Sequence, residues 1–162
     1  MRIMAIRRQA LFRRTSSVPW TECNFCWACW TGAFPFHRSR PSSGSLRLNS
    51  SPGRALFTAT PDARHSNPLG SLHDGYISTL LDSCMACAVH SKLRAGQSHT
   101  TLELEVNFAR ALSADTGPVS AIGTVIQVGR QIATAEGRLV DARDRLLGHA
   151  TTTCLLSSIP AK

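Results

Sequence analysis

Asn67 to Cys87 reads NPLGSLHDGYISTLLDSCMAC, and its second half decides the fold. Ile77, Leu80, Leu81, Cys84, Met85 and Ala88 recur at the spacing of a buried helix. Asp74 stands where an N-cap would, and Gly96 ends the element. Between Asp74 and His90 the one charged side chain is Asp82. An ionised group without a partner in an apolar helix is costly, so Asp82 is the first candidate for a chemical role.

Downstream, Thr100 to Phe108 (TTLELEVNF) alternates, which predicts a strand with Leu102, Leu104, Val106 and Phe108 on one face. Thr101, Glu103, Glu105 and Asn107 then share the wet face. Three more strands are expected over Pro118 to Val128, Arg130 to Val140 and Leu146 to Leu156, with links too short for anything but antiparallel pairing. Upstream, Gly53 to Pro61 is a strand candidate, and Asp62 to Ser71 is rich in turn formers. The expected order is one strand, one long helix and a four-stranded meander. A helix that is apolar nearly all round must be covered nearly all round, which predicts a sheet curled about it.

The formal charge of +8 is concentrated in residues 1–50, with eight Arg and one acidic residue; residues 51–162 hold ten Lys/Arg against nine Asp/Glu. This near-neutral domain has no contiguous basic patch or aromatic interleaving, which argues against nucleic-acid binding. No stretch approaches the roughly 18–20 apolar residues of a membrane span. Cys84, Cys87 and Cys154 stand among apolar residues and require no oxidising compartment, so a soluble, cytoplasmic protein without a metal or cofactor is expected.

Residues 1–50 follow few of these rules, and an atypical extension is expected there ahead of a domain over 51–162. Trp20, Trp27, Trp30, Cys23, Cys26 and Cys29 crowd together, ahead of a Ser/Arg/Pro-rich stretch. The Cys-x-x-Cys-x-x-Cys spacing opens like an iron-sulfur motif, but no fourth ligand follows before Cys84. Met1 to Ser17 has the Arg and Ser content of an organellar transit peptide. The favoured reading is a frameshift or misassigned start. Taking the frame that begins at each third base, Glu22 to Thr31 becomes Met/Val, Gln, Phe/Leu, Leu, Leu, Gly, Leu/Met/Val, Leu, Asp, the start of an amphipathic helix, and a Pro/Ser-rich stretch replaces Phe34 to Arg38. The native frame would then resume near Ser51 to Gly53.

Five motifs in order carry a resemblance: Asn67-Pro-Leu-Gly70-Ser-Leu-His73-Asp-Gly75, Leu80-Leu81-Asp82-Ser83, Thr100-Thr101-Leu-Glu-Leu-Glu-Val-Asn107-Phe108, Val128-Gly129-Arg130 and Ala150-Thr-Thr-Thr-Cys154. Together they resemble the hotdog-fold acyl-CoA thioesterases of the phenylacetate-pathway (PaaI-type) branch, over about Gly53 to Leu156. The shifted-frame string is similar to that family's N-terminal helix and linker. The resemblance implies an α+β hotdog fold, a curled antiparallel sheet around one long helix. It also implies edge-to-edge pairing into a homodimer or a dimer-of-dimers tetramer, with active sites at the interface and an acyl-CoA substrate, aromatic or medium-chain.

It further implies roles. A thioester needs a base or nucleophile, and donors aimed at its developing oxyanion. Asp82 matches the family's helix carboxylate. The amides around Asp74 and Gly75, at the helix N-terminus, match its oxyanion site. Asn67 matches the loop Asn, His73 the loop His, and Thr100 or, preferably, Thr101 the residue that positions water. Arg110 and Arg130, the latter beside Gly129, are candidates for the coenzyme A phosphates. Each has a bland alternative: Asp82 turned to solvent, Asn67 a turn former, His73 a loop brace, and the arginines surface charges. A hotdog dehydratase is disfavoured, because its His/Asp or His/Glu pairing is not evident.

One departure bears on activity. The family's loop reads His-Gly-Gly where this chain has His73-Asp74-Gly75. Asp keeps the backbone donor, but its carboxylate would repel an oxyanion, and the family's Gly could serve φ freedom or close approach. The second expectation is therefore an impaired hotdog protein that binds acyl-CoA or serves assembly.

Overall fold

Residues 47–158 are described by the computed structural model. The Trp/Cys cluster, the transit-peptide segment and the shifted-frame string lie outside them. Within them six strands form one antiparallel sheet around one helix: β1 (Arg47–Ser51), β2 (Arg54–Ala59), α1 (Asp74–His90), β3 (Gln97–Phe108), β4 (Val119–Val128), β5 (Ile132–Asp141) and β6 (Leu146–Ser158). The spatial order is β1-β2-β4-β5-β6-β3. This is the hotdog architecture.

The expected meander is correct for β4, β5 and β6 but not for β3. That strand pairs with β6 at the far edge rather than with β4. The segment from Ala109 to Pro118 is too long for a hairpin and runs under the helix N-terminus, where the buried Leu112 accepts a hydrogen bond from Leu72 N–H through its carbonyl at 2.8 Å. A strand not marked in the sequence, β1, adds an edge beyond β2 through the turn at Gly53, whose φ is +81°.

The sheet can wrap the helix because its inner face is small where α1 lies closest. Ala121, Ala133, Ala135 and Ala150 are buried beneath it. A Cβ at Gly123 would come within 2.4 Å of the Cys84 carbonyl group, so β4 and the helix backbone are in direct contact there. Ile77, Leu80, Leu81, Cys84, Met85, Ala88 and Val89 fill the remaining space with Phe57, Val119 and Leu139. Burying a large aliphatic side chain contributes about 1.5–3 kcal/mol each. The core thus fixes the rotation of α1, and with it the direction in which Asp82 points.

Candidate active site

Asp82 projects from the middle of α1 toward β3, half-buried. The Thr101 hydroxyl donates to its Oδ1 at 3.2 Å. Unbroken alternation would have put Thr101 on the wet face with Glu103, and the structure overturns that expectation. A β-bulge between Thr101 and Glu103 inserts Leu102 as an extra residue, so Thr101 stands opposite the buried Cys154 while Leu104 stands opposite the buried Thr152. Both therefore face the helix, although three residues apart. Thr152 Oγ1 donates to the Glu103 carbonyl at 2.8 Å and fixes the backbone just past the bulge. Leu102, expected in the core, is 57% exposed, and Phe108, at the strand's end, is 45% exposed.

Burial raises the Asp82 carboxyl above the usual carboxylate range, and the Thr101 hydrogen bond offsets part of that rise. The neighbouring thiols are poor competitors for a nucleophilic role. Burial pushes Cys84 up to about 12 and also raises Cys154, so their thiolates are disfavoured. Among the described residues no group of three or more His, Cys, Asp or Glu is placed to hold a metal.

The second half of the site is the loop that starts α1. Asn67 behaves as a turn former: its Oδ1 accepts from Leu69 N–H at 2.9 Å and its Nδ2 donates to Ser71 Oγ at 2.8 Å. Since the amide carries two N–H groups, one donor remains for another acceptor. Asp74 is not the N-cap, as expected, but the first helical residue. His73 is the cap, its Nδ1 accepting from Gly75 N–H at 3.0 Å. The loop is braced further by His73 N–H to the His65 carbonyl, and by the His65 ring packed 4.3 Å from that of Tyr76.

This cap changes the expected donor set. Gly75 N–H is taken by His73, and Tyr76 N–H by the His73 carbonyl. The Asp74 amide is left as the first-turn donor without an acceptor among the described residues. Its φ is not positive, so the position does not need the conformational freedom of glycine.

The remaining candidates are dispersed. Thr100 lies exposed on the outer face of β3, opposite Leu155, and is not brought to Asp82. Gly129 and Arg130 make the β4–β5 turn, closed by Gly129 N–H to the Ile132 carbonyl at 2.7 Å, beside a cavity of about 300 Å³. Arg110 lines a cavity of about 590 Å³ with Arg143 and Arg145 at the opposite end of β5.

A feature that the motifs did not mark is a pair of imidazoles. The bulge also turns His99 inward, where its ring sits 5.5 Å from that of His90. Burial, reinforced by His90, pushes His99 down to about 4, so it is neutral at pH 7. The only signal for it in the sequence is its i−2 relation to Thr101, which becomes informative once the bulge is seen.

Residues 69–147 match the family model of the thioesterase superfamily. Among solved structures, a thioesterase family protein from Silicibacter pomeroyi is 26% identical, with a TM-score of 0.64 over 70% of this chain and 85% of its own. A variant of the phenylacetic acid degradation protein PaaI from Thermus thermophilus is 25% identical, with a TM-score of 0.62 over 68% of this chain and 91% of its own. A Bacillus halodurans protein solved with CoA is 24% identical, with a TM-score of 0.59 over 63% of this chain and 66% of its own. A comparison with curated proteins gives no match.

Proposed function

We propose that this protein is an acyl-CoA thioesterase of the PaaI type, hydrolysing an aromatic or medium-chain acyl-CoA to the free acid and coenzyme A. The observation that carries this reading is the half-buried Asp82, held by Thr101 at 3.2 Å on the central helix of a hotdog fold. A carboxylate that burial makes more basic either accepts a proton from the attacking water or attacks the thioester carbon itself. The coenzyme A thiolate leaves in either case and is protonated; after direct attack, water then hydrolyses the mixed anhydride left on Asp82, releasing the free acid and restoring the carboxylate. An oxyanion forming on the carbonyl oxygen is met by the Asp74 amide and the positive end of the helix.

These two halves lie eight residues apart on one helix, about 12 Å at 1.5 Å per residue. A single thioester carbon cannot touch both from one chain. The site therefore needs a second copy, one supplying Asp82 and Thr101, the other Asp74 and Asn67. β3 offers the place for it, a 12-residue edge strand with Leu102 and Phe108 exposed. Cys84 and Cys154, buried in the apolar core, require no oxidising compartment, which suits a cytoplasmic setting.

The test is free-thiol release across short, medium and aromatic acyl-CoAs. Turnover that disappears with Asp82→Asn supports the reading; retention of most of the rate removes Asp82 from its role. A second reading is favoured by the Asp74 carboxylate, which sits beside the one unpaired first-turn amide: a hotdog protein that binds acyl-CoA without turning it over. Binding with no thiol release identifies it.

A further inference from the structure

Asp74 is the one residue of α1 that carries both a carboxylate and an uncommitted backbone donor. Its N–H has no acceptor among the described residues, and its side chain has neither a hydrogen bond nor an ion pair there. Three other aspartates are held: Asp62 by Arg64 at 2.6 Å, Asp141 by Arg145 at 2.6 Å, and Asp82 by the Thr101 hydroxyl at 3.2 Å. Ser78 Oγ donates to the Asp74 carbonyl at 2.9 Å, so the residue is fixed in the first turn while its side chain stays exposed.

A first-turn aspartate stabilises a helix through the dipole alone. What separates Asp74 from such a surface charge is that the proposed oxyanion is bound by its own amide. A thioester oxygen accepting from that N–H at about 2.9 Å lies beside a carboxylate only an α- and a β-carbon away from the same nitrogen. With an uncharged acyl group the carboxylate faces the developing oxyanion uncompensated, and the repulsion slows the reaction about fivefold. A cation beside the carboxylate reverses that sign. The atoms from the thioester oxygen to a nitrogen on the β-carbon of the acyl group match in number those from the Asp74 amide nitrogen to its carboxylate oxygen. The two segments can therefore lie side by side, carbonyl oxygen against N–H and ammonium against carboxylate. A nitrogen on the α-carbon stops one atom short.

We propose that the preferred substrate is a β-aminoacyl-CoA, with the Asp74 carboxylate as the group that selects its ammonium. This rests on the acyl-CoA reading and adds to it the charge of the acyl group. The reaction is otherwise unchanged: water or Asp82 attacks the thioester carbon, coenzyme A leaves, and a β-amino acid is released. An alkyl amine is protonated at pH 7 and keeps its proton throughout, so its charge offsets both the Asp74 carboxylate and the oxyanion forming nearby.

Substrate pairs that differ only by ammonium in place of methyl test it: β-alanyl-CoA against butyryl-CoA, and 3-amino-3-phenylpropionyl-CoA against 3-phenylbutyryl-CoA. Free-thiol release gives kcat/KM for each. The native protein should favour the charged member of each pair about fivefold. Asp74→Asn should raise kcat/KM for the uncharged member about fivefold and lower it for the charged member about fivefold, a change of about twenty-fivefold in preference. Opposite responses cannot come from a damaged fold, which slows both members alike. A native preference for the uncharged member overturns the proposal, as does any response to Asp74→Asn that is equal for the two members. A preference indifferent to both salt and Asp74→Asn is one of shape rather than charge, and overturns it too. If the native protein hydrolyses these thioesters through Asp82 but the pairs respond equally, the acyl-CoA reading stands and this one falls. Release of no thiol from any of the four overturns both.

Discussion

Asp74 and Asp82 are the same residue type on the same helix, two turns apart, and their surroundings give them opposite consequences. Asp74 is exposed in the first turn, where backbone amides and the helix dipole favour an anion. Asp82 is half-buried in the middle, where no amide is free and burial disfavours its charge. On the proposed function, the N-terminal turn would stabilise a substrate's negative charge, while burial makes the carboxylate in the middle of the helix more basic. A carboxylate suits the second place and competes with the substrate in the first.

The largest break in this comparison is Asp82→Asn. It removes the proton acceptor and leaves the Thr101 contact possible through the amide oxygen. Thiol release should fall by about 10²–10⁴, the range for losing a positioned base, with coenzyme A affinity unchanged. Because the carboxyl sits above the usual range, kcat/KM of the native protein should climb with pH through a pKa higher than that of an ordinary aspartate. A rate independent of pH over that interval counts against Asp82 as the base.

Thr101→Val comes next. The hydroxyl donates to Oδ1 and so favours the ionised form, and its loss should slow turnover about fivefold to thirtyfold, equivalent to about 1–2 kcal/mol. The pH profile should move upward, because the contact that lowers the Asp82 pKa is gone. Thr101→Ser should restore both rate and profile, whereas a side chain that only filled space would leave the profile in place.

A third consequence concerns stability. Burial raises the folded pKa of Asp82 above its unfolded value, so folding favours the protonated form. The stability linked to that form is fully present below the unfolded pKa and is lost as pH rises through the folded one. At neutral pH the ionised carboxylate therefore destabilises the fold, and Asp82→Asn should raise Tm by about 2–4 °C. Below about pH 4 the gain should vanish. Loss of activity together with a gain in stability is what a strained functional group produces; a fall in Tm at pH 7 contradicts this.

Legibility in the sequence divided along the same helix. The apolar periodicity from Ile77 to Ala88 was enough to predict a covered helix, and the isolation of Asp82 was enough to mark it, because both depend on local pattern. The face of Thr101 was not legible from alternation, since one inserted residue at Leu102 reverses the faces on either side and leaves the TTLELEVNF pattern intact. The partner of β3 was equally hidden: the crossing to the far edge depends on the Leu72–Leu112 contact, which joins residues distant in sequence. At the loop, resemblance supplied the amides around Asp74 and Gly75, but only the side-chain cap by His73 shows which of them is free.

That free amide makes Asp74→Gly the smallest and most discriminating test. Three explanations for a glycine at this position make different demands. Freedom of φ is not required, because Asp74 already adopts an ordinary backbone conformation. Charge and proximity remain. Two unit charges 4 Å apart in water interact by about 1 kcal/mol, so relief of the repulsion between the Asp74 carboxylate and a developing oxyanion should raise kcat about fivefold. Asp74→Asn should reproduce most of that gain if charge is the cause, and little of it if the thioester needs the space. High salt should shrink the difference between native and Asp74→Asn, since an exposed charge is screened. The helix loses a favourable N-terminal charge in both variants, so both should melt slightly lower than the native protein. Higher turnover at lower stability is the signature expected of this carboxylate. An unchanged or reduced rate in both variants would mean that the Asp74 amide does not face the oxyanion.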